Sequence, residues 1–141
     1  GKEASKVSEA DALDYVFGYT AGNDVSAREW QSGAKADIQW WRAKSADTFA
    51  PTGPFIVTDI DPQNVAIRGL VNGVEGQKCH SSEMIFTTAQ AISFISTYVT
   101  LYPGDMIWTG TSGTTPPINV GGDVTVELEH IGVLHNPVES A

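Results

Sequence analysis

Asp24, Arg28 and Gln31 fall within the stretch GYTAGNDVSAREWQ, residues 18–31. An acid, a guanidinium and an amide follow one another behind a run of small residues. A carboxylate can hold a cation, and a guanidinium one helical turn further on can grip a carboxylate with two parallel hydrogen bonds, whether that carboxylate is the protein's own or a ligand's. Plainer readings stand beside this one. An Asp after Gly-Asn is more often a helix N-cap or turn residue than a ligand, and Asp24 and Arg28 could form an internal ion pair. Lys44 is the other candidate, in AKSADTF among small and aromatic residues. An ammonium withdrawn from water there could face an anionic group, although a lone Lys is nearly always a solvated surface charge.

Other groupings carry less. Glu127 and Glu129 would share one face of a strand, the kind of oxygen pair a divalent cation takes. Val124, Val126 and Leu128 claim the buried face, so both acids are read as facing water with Thr125. His80, His130, His135 and Cys79 have none of the spacings of zinc sites. The run TGTSGTTPP is either a nest of backbone N–H groups for an anion or a loop. No phosphate-binding loop or nucleophile elbow is present.

These residues need elements to position them. Ser8 and Asp11 read as a capping box for a short helix through EADALDYV. VFGYTAGND then suggests a strand, which puts Asp24 at a strand end just before a helical turn, SAREWQSG, ended by Gly33. WWRAKSADTFAPTG reads as an irregular loop into a strand at FIVT. Asn72-Gly73 between two alternating runs signals a hairpin. Thr87 and Gln90 form a second capping box, for a helix TAQAISFISTYV with Ile92, Ile95 and Val99 on its core face. YPGDM is a turn, MIWTGT a buried strand, and SGTTPPINVGG a loop. DVTVELEHIGVLHNPV alternates as a strand interrupted at Gly132. The class is α+β with a largely antiparallel sheet and two or three short helices.

The totals agree with a single small domain. At 141 residues and 41% hydrophobic content, one domain with one core is expected. Eight basic against seventeen acidic residues give a net charge of -9, which disfavours nucleic acid and anionic lipid as partners. Any small anion must then be met by positive charges, or a metal ion, concentrated in one pocket. A single cysteine and the lack of any long apolar run fit a cytoplasmic chain with neither disulfide nor membrane span.

GYTAGNDVSAREWQ, WRAKSADTFAPTGPFIV, VNGVEGQKCHSSEMIF and LYPGDMIWTGTSG, in that order, resemble the fumarylacetoacetate hydrolase superfamily from about Asp11 to Pro137. The resemblance implies a mostly antiparallel sheet rolled on itself, a homodimer, and action on 2-oxo or 2-enol carboxylates with Mg2+ or Mn2+. It makes Asp24 the last acidic metal ligand, Lys44 the catalytic pocket lysine, and Thr111 a hydroxyl near the substrate carboxylate. Arg28 and Gln31 line or brace the same pocket. The family's other metal ligands, a Glu-x-Glu pair, and its lid general base lie upstream, so residues 1–141 correspond to the C-terminal portion of the catalytic domain.

The function implied is metal-dependent cleavage of a carbon-carbon bond in an acylpyruvate, as in aromatic-ring breakdown. Isomerase, tautomerase or oxaloacetate decarboxylase chemistry passes through the same enolate and stays open. So does an inactive folded core lacking the complete metal site.

Overall fold

The computed structural model describes residues 1–140; position 141, the last of the expected domain, lies outside them. The described residues form β1 (Tyr19–Gly22), α1 (Trp41–Lys44), β2 (Thr52–Val57), β3 (Ala66–Val71), β4 (Val74–His80), α2 (Thr88–Tyr98), β5 (Asp123–Leu128) and β6 (Gly132–Pro137), with short 3-10 turns between them. Every strand pairing is antiparallel, in a four-stranded sheet ordered β4-β3-β5-β6 and a separate two-stranded sheet of β1 and β2. This is the expected α+β class, with the sheet left open at its β4 and β6 edges. No described helix is long and apolar enough to cross a membrane.

The hairpin forms where Asn72-Gly73 requires it. Asn72 has φ 52° and Gly73 φ 73°, the pair of left-handed residues whose twist matches two flanking strands. Asn72 also accepts the Asp123 N–H on its Oδ1 at 2.9 Å, which fastens the turn to the start of β5. The second capping box is present in full: Thr87 Oγ1 accepts from Gln90 N–H and Gln90 Oε1 accepts from Thr87 N–H, and α2 follows. Ile92 is buried and Ile95 half-buried. Val99, expected on the core face, is instead the extended C-cap residue and 58% exposed. Ser96 takes the buried place, its hydroxyl accepting from Val7 N–H at 3.0 Å and donating to the Ser93 carbonyl at 3.1 Å.

Other expectations are corrected. MIWTGT forms no strand, and Met106 is 58% exposed. No described strand pairs with it, and the pattern of apolar residues reflects docking of Trp108 and Ile107 instead. The last stretch is a hairpin rather than one interrupted strand, because left-handed His130 (φ 64°) and Gly132 (φ 129°) reverse the chain between β5 and β6. The EADALDYV helix shrinks to a 3-10 turn, Ala12–Tyr15. There Asp11 N–H donates to Ser8 Oγ, while the Ser8 hydroxyl donates to the Asp11 carboxylate at 2.6 Å and so diverts the acid from the backbone. Gly33 (φ 77°) opens a second 3-10 turn, Gly33–Lys35, instead of ending the first at Arg28–Trp30. WWRAKS, expected to be irregular, holds the single helical turn of α1.

Most of the buried apolar residues fall into two clusters rather than one. Ala4, Val7, Ala12 and Ile92 form the first, backed by Leu101 and Ile107. Ala21, Ile131 and Leu134 form the second, with Val126 and Leu128 of β5 packed on it. Glu127 points away from that cluster and pairs with Arg68 on β3, Nη1 to Oε2 at 2.7 Å, while Arg68 Nε reaches Glu75 on β4 at 2.7 Å. The outward reading of Glu127 therefore holds.

Candidate active site

β1 carries the chain to Asp24 along a fixed path. Ala21 is fully buried, and a Cβ added to Gly22 would lie 2.6 Å from the Trp108 ring, so only glycine lets the indole seat there. Beyond the strand, Asn23 N–H donates to the Pro51 carbonyl at 3.0 Å and Ala27 N–H donates to the Ala43 carbonyl at 3.0 Å. Ala43 is itself fully buried. That second bond lays the segment after Asp24 alongside α1, so Arg28 and Lys44, the next residue of each, leave from adjoining backbone.

Trp30 reinforces the arrangement. The Arg42 guanidinium stacks 4.2 Å from the Trp30 ring centroid, and Lys35 Nζ lies 5.7 Å from it. Arg42 also grips Asp37 through two nitrogens. The Asp37 carboxyl is held below the usual carboxylate range, chiefly by the hydrogen bond from Arg42.

Within this frame Lys44 Nζ lies 2.6 Å from Asp24 Oδ2, with the two side chains 29% and 53% exposed. Arg28 turns elsewhere. Its Nη1 donates to Gln31 Oε1 at 2.8 Å, and its Nη2 donates to Thr115 Oγ1 at 3.1 Å. The anticipated Asp24 to Arg28 pair is thus replaced by Asp24 to Lys44, because the Ala27 to Ala43 bond delivers the ammonium to the carboxylate. Gln31 Nε2 is buried and has no hydrogen-bond partner among the described residues. A buried N–H donor left in this state costs free energy unless a ligand or water meets it.

Thr111 is hydrogen-bonded to a different residue from these four. Its hydroxyl oxygen accepts from Gln77 Nε2 at 2.5 Å, and its loop joins the rest through Thr115 and Arg28. Thr115 and Gln77 were not singled out from the sequence. Thr115 lies within TGTSGTTPP, where hydroxyls invite such bonds, but nothing local to β4 marks Gln77.

Among the described residues no three His, Cys, Asp or Glu side chains gather as a metal-holding group. Asp24 offers one carboxylate and one of its oxygens faces an ammonium. A magnesium-like cation needs a near-complete shell of oxygen ligands, so these residues alone do not fit one. What they do provide is Lys44, paired with Asp24, and on the adjoining backbone Arg28, held by Gln31 and Thr115, with an amide donor, Gln31 Nε2, in reserve. In a chain of net charge -9, Arg28 is the cation here that no carboxylate offsets among the described residues, and a small anion suits it.

The family profile described as fumarylacetoacetate (FAA) hydrolase C-terminal matches residues 1–139. The chain belongs to the fumarylacetoacetate hydrolase family, a family of enzymes. It is 47% identical to a 2-hydroxyhepta-2,4-diene-1,7-dioate isomerase from Mycobacterium marinum, whose crystal structure superposes with a TM-score of 0.93 over 99% of this chain and 54% of that one. It is 42% identical to a mitochondrial oxaloacetate tautomerase of Xenopus laevis, over 98% of this chain and 46% of the relative. A fumarylacetoacetate hydrolase from Exiguobacterium antarcticum is 36% identical, with a TM-score of 0.91 over 100% of this chain and 53% of that one. The chain spans about half the length of the curated relatives it matches.

Proposed function

We propose that the enzyme carrying this chain acts on a small 2-oxo or 2-enol carboxylate through its enolate, as an isomerase or tautomerase. The observation that carries this reading is the cluster of Lys44 on Asp24 beside Arg28 on Gln31, with the Gln31 Nε2 donor unspent. Removing a proton beside a 2-oxo group leaves negative charge on the oxo oxygen. A fixed ammonium such as Lys44 stabilises that charge more than it stabilises the neutral ketone, and this difference is what speeds the step. Arg28, Gln31 and Thr111 supply donors for the carboxylate. Asp24 holds the Lys44 head group in place.

The relatives favour proton or double-bond movement, since an isomerase and a tautomerase stand among the most similar of them. Hydrolytic cleavage of an acylpyruvate is the second reading, favoured by the Exiguobacterium hydrolase; it expels the same kind of enolate. In either reading a Mg2+ or Mn2+ ion, if bound, would take one oxygen ligand from Asp24 and would supply further charge stabilisation to the enolate. The charge argument itself rests on Lys44 and Arg28.

The test is product analysis with oxaloacetate and with an acylpyruvate. Faster enol-to-keto conversion of oxaloacetate, without bond cleavage, is the expected result. Release of pyruvate from the acylpyruvate selects the hydrolase reading, and inertness toward both overturns the proposal.

A further inference from the structure

The β3–β4 hairpin contains an irregularity whose products converge on one loop. Gly69 pairs with Gln77 and Leu70 with Glu75, which leaves Gly76 as the extra residue of a bulge. Bulges re-aim neighbouring side chains and are frequent near active sites. Here the re-aimed side chain is Gln77. A Cβ on Gly69 would lie 3.1 Å from Gln77 Oε1, and one on Gly76 would lie 2.6 Å from Pro116 Cγ. Both glycines therefore leave room for contacts with the 111–116 loop.

Gln77 Nε2 donates twice into that loop, to Thr111 Oγ1 at 2.5 Å and to the Ser112 carbonyl at 2.8 Å. A carbonyl oxygen only accepts, so the Ser112 bond fixes which end of the Gln77 amide faces the loop. Thr111 Oγ1 must then act as acceptor toward Gln77. The hydroxyl hydrogen is consequently turned away from Gln77 and left to donate outward.

We propose that Gln77 is a positioning residue that sets the Thr111 hydroxyl as a hydrogen-bond donor to the substrate's carboxylate. The inference rests on the placement of Thr111 in the substrate site under Proposed function. Without Gln77 the hydroxyl rotates freely and spends part of its time presenting lone pairs to an anion, which repels it. The consequence falls on substrate binding, and it travels through the Thr111 hydroxyl, the Ser112 bond serving to fix the amide's orientation.

The experiment is a double-mutant cycle in the enzyme carrying this chain, reading KM and kcat for its 2-oxo acid substrate and the inhibition constant of oxalate, with thermal unfolding as control. T111V is expected to raise KM and the oxalate constant. Q77A should raise both about three- to tenfold, the range expected for one net hydrogen bond, with kcat changed less. On the T111V background Q77A should add nothing. Q77E, of equal size, should be worse than Q77A, because its carboxylate accepts the Thr111 proton and turns the hydroxyl inward. If T111V matters while Q77A is silent, or if Q77A costs as much on the T111V background as alone, the role of Gln77 is overturned and the site reading survives. If T111V itself changes neither constant, Thr111 leaves the site and the inference goes with it.

Discussion

The ammonium of Lys44 meets the carboxylate of Asp24 at 2.6 Å across 20 residues of sequence, and a backbone bond between Ala27 and Ala43 brings them together. The pair is partly exposed on both sides, so its direct worth to stability is small. Its placement at a strand end, beside a second cation with an unspent amide donor, gives it a use that a surface ion pair lacks.

Replacing Lys44 with Ala separates these two roles. An exposed or half-exposed ion pair contributes at most about 1 kcal/mol, so the thermal midpoint should move by only a few degrees. Loss of a preorganised charge facing a developing oxyanion costs about 3 kcal/mol, or roughly a hundredfold in kcat. Measured together in the enzyme carrying this chain, a large fall in kcat beside a nearly constant midpoint is expected. Equal turnover in the two proteins would remove Lys44 from the chemistry.

The 141-residue chain alone should bind Mg2+ only weakly. It brings one carboxylate, Asp24, with Lys44 across one oxygen, and no described cluster of three ligating side chains. Calorimetric titration should give no saturable heat in the low millimolar range, and D24N should behave like the unchanged chain. A saturable site at micromolar Mg2+ that D24N abolishes would mean that these residues complete a metal shell by themselves.

Much of this was legible in the sequence where a local rule had no competitor. Asn72-Gly73 admits one tight turn, and Thr87 with Gln90 specifies a helix start whose two hydrogen bonds both form. Asp24 and Lys44 could be named as candidates, but their contact could not, since it depends on a backbone bond between two alanines that carry no signal. Val99 failed because periodicity cannot say where a helix stops. MIWTGT failed because an apolar run reads alike whether a neighbouring strand pairs with it or only Trp108 docks. Gln77 was silent because its role comes from a bulge, and a bulge at Gly76 looks like any glycine in a strand until the register is known.

Asp37 gives a pH prediction with a definite sign. Its folded carboxyl titrates below the unfolded value because Arg42 donates to the charged form. The stabilisation is therefore present above the ordinary Asp value, about 3.9, and is lost as pH falls through the lower folded value. Carboxyl carbon NMR should show Asp37 titrating below the ordinary Asp value, and R42Q should return it toward that value. An Asp37 titration indifferent to R42Q would mean that the pair does not persist in solution.

Gly76 offers a test of the loop seat that does not touch any polar group. Its φ lies outside the left-handed region, so alanine is acceptable to the backbone, but the new methyl would sit 2.6 Å from Pro116 Cγ and 2.7 Å from Cδ. A proline ring cannot swing aside as a flexible side chain would, so the 111–116 loop must move, carrying Thr111 from Gln77 and Thr115 from Arg28. G76A should therefore raise KM with only modest loss of stability. Adding P116A removes the atoms that the methyl strikes, and the double variant should recover most of the lost affinity, whereas P116A alone should change KM little. Affinity recovered only in the presence of both changes would identify steric displacement of the loop as the cause; if G76A leaves KM unaltered, the loop does not need its seat on β4 to bind substrate.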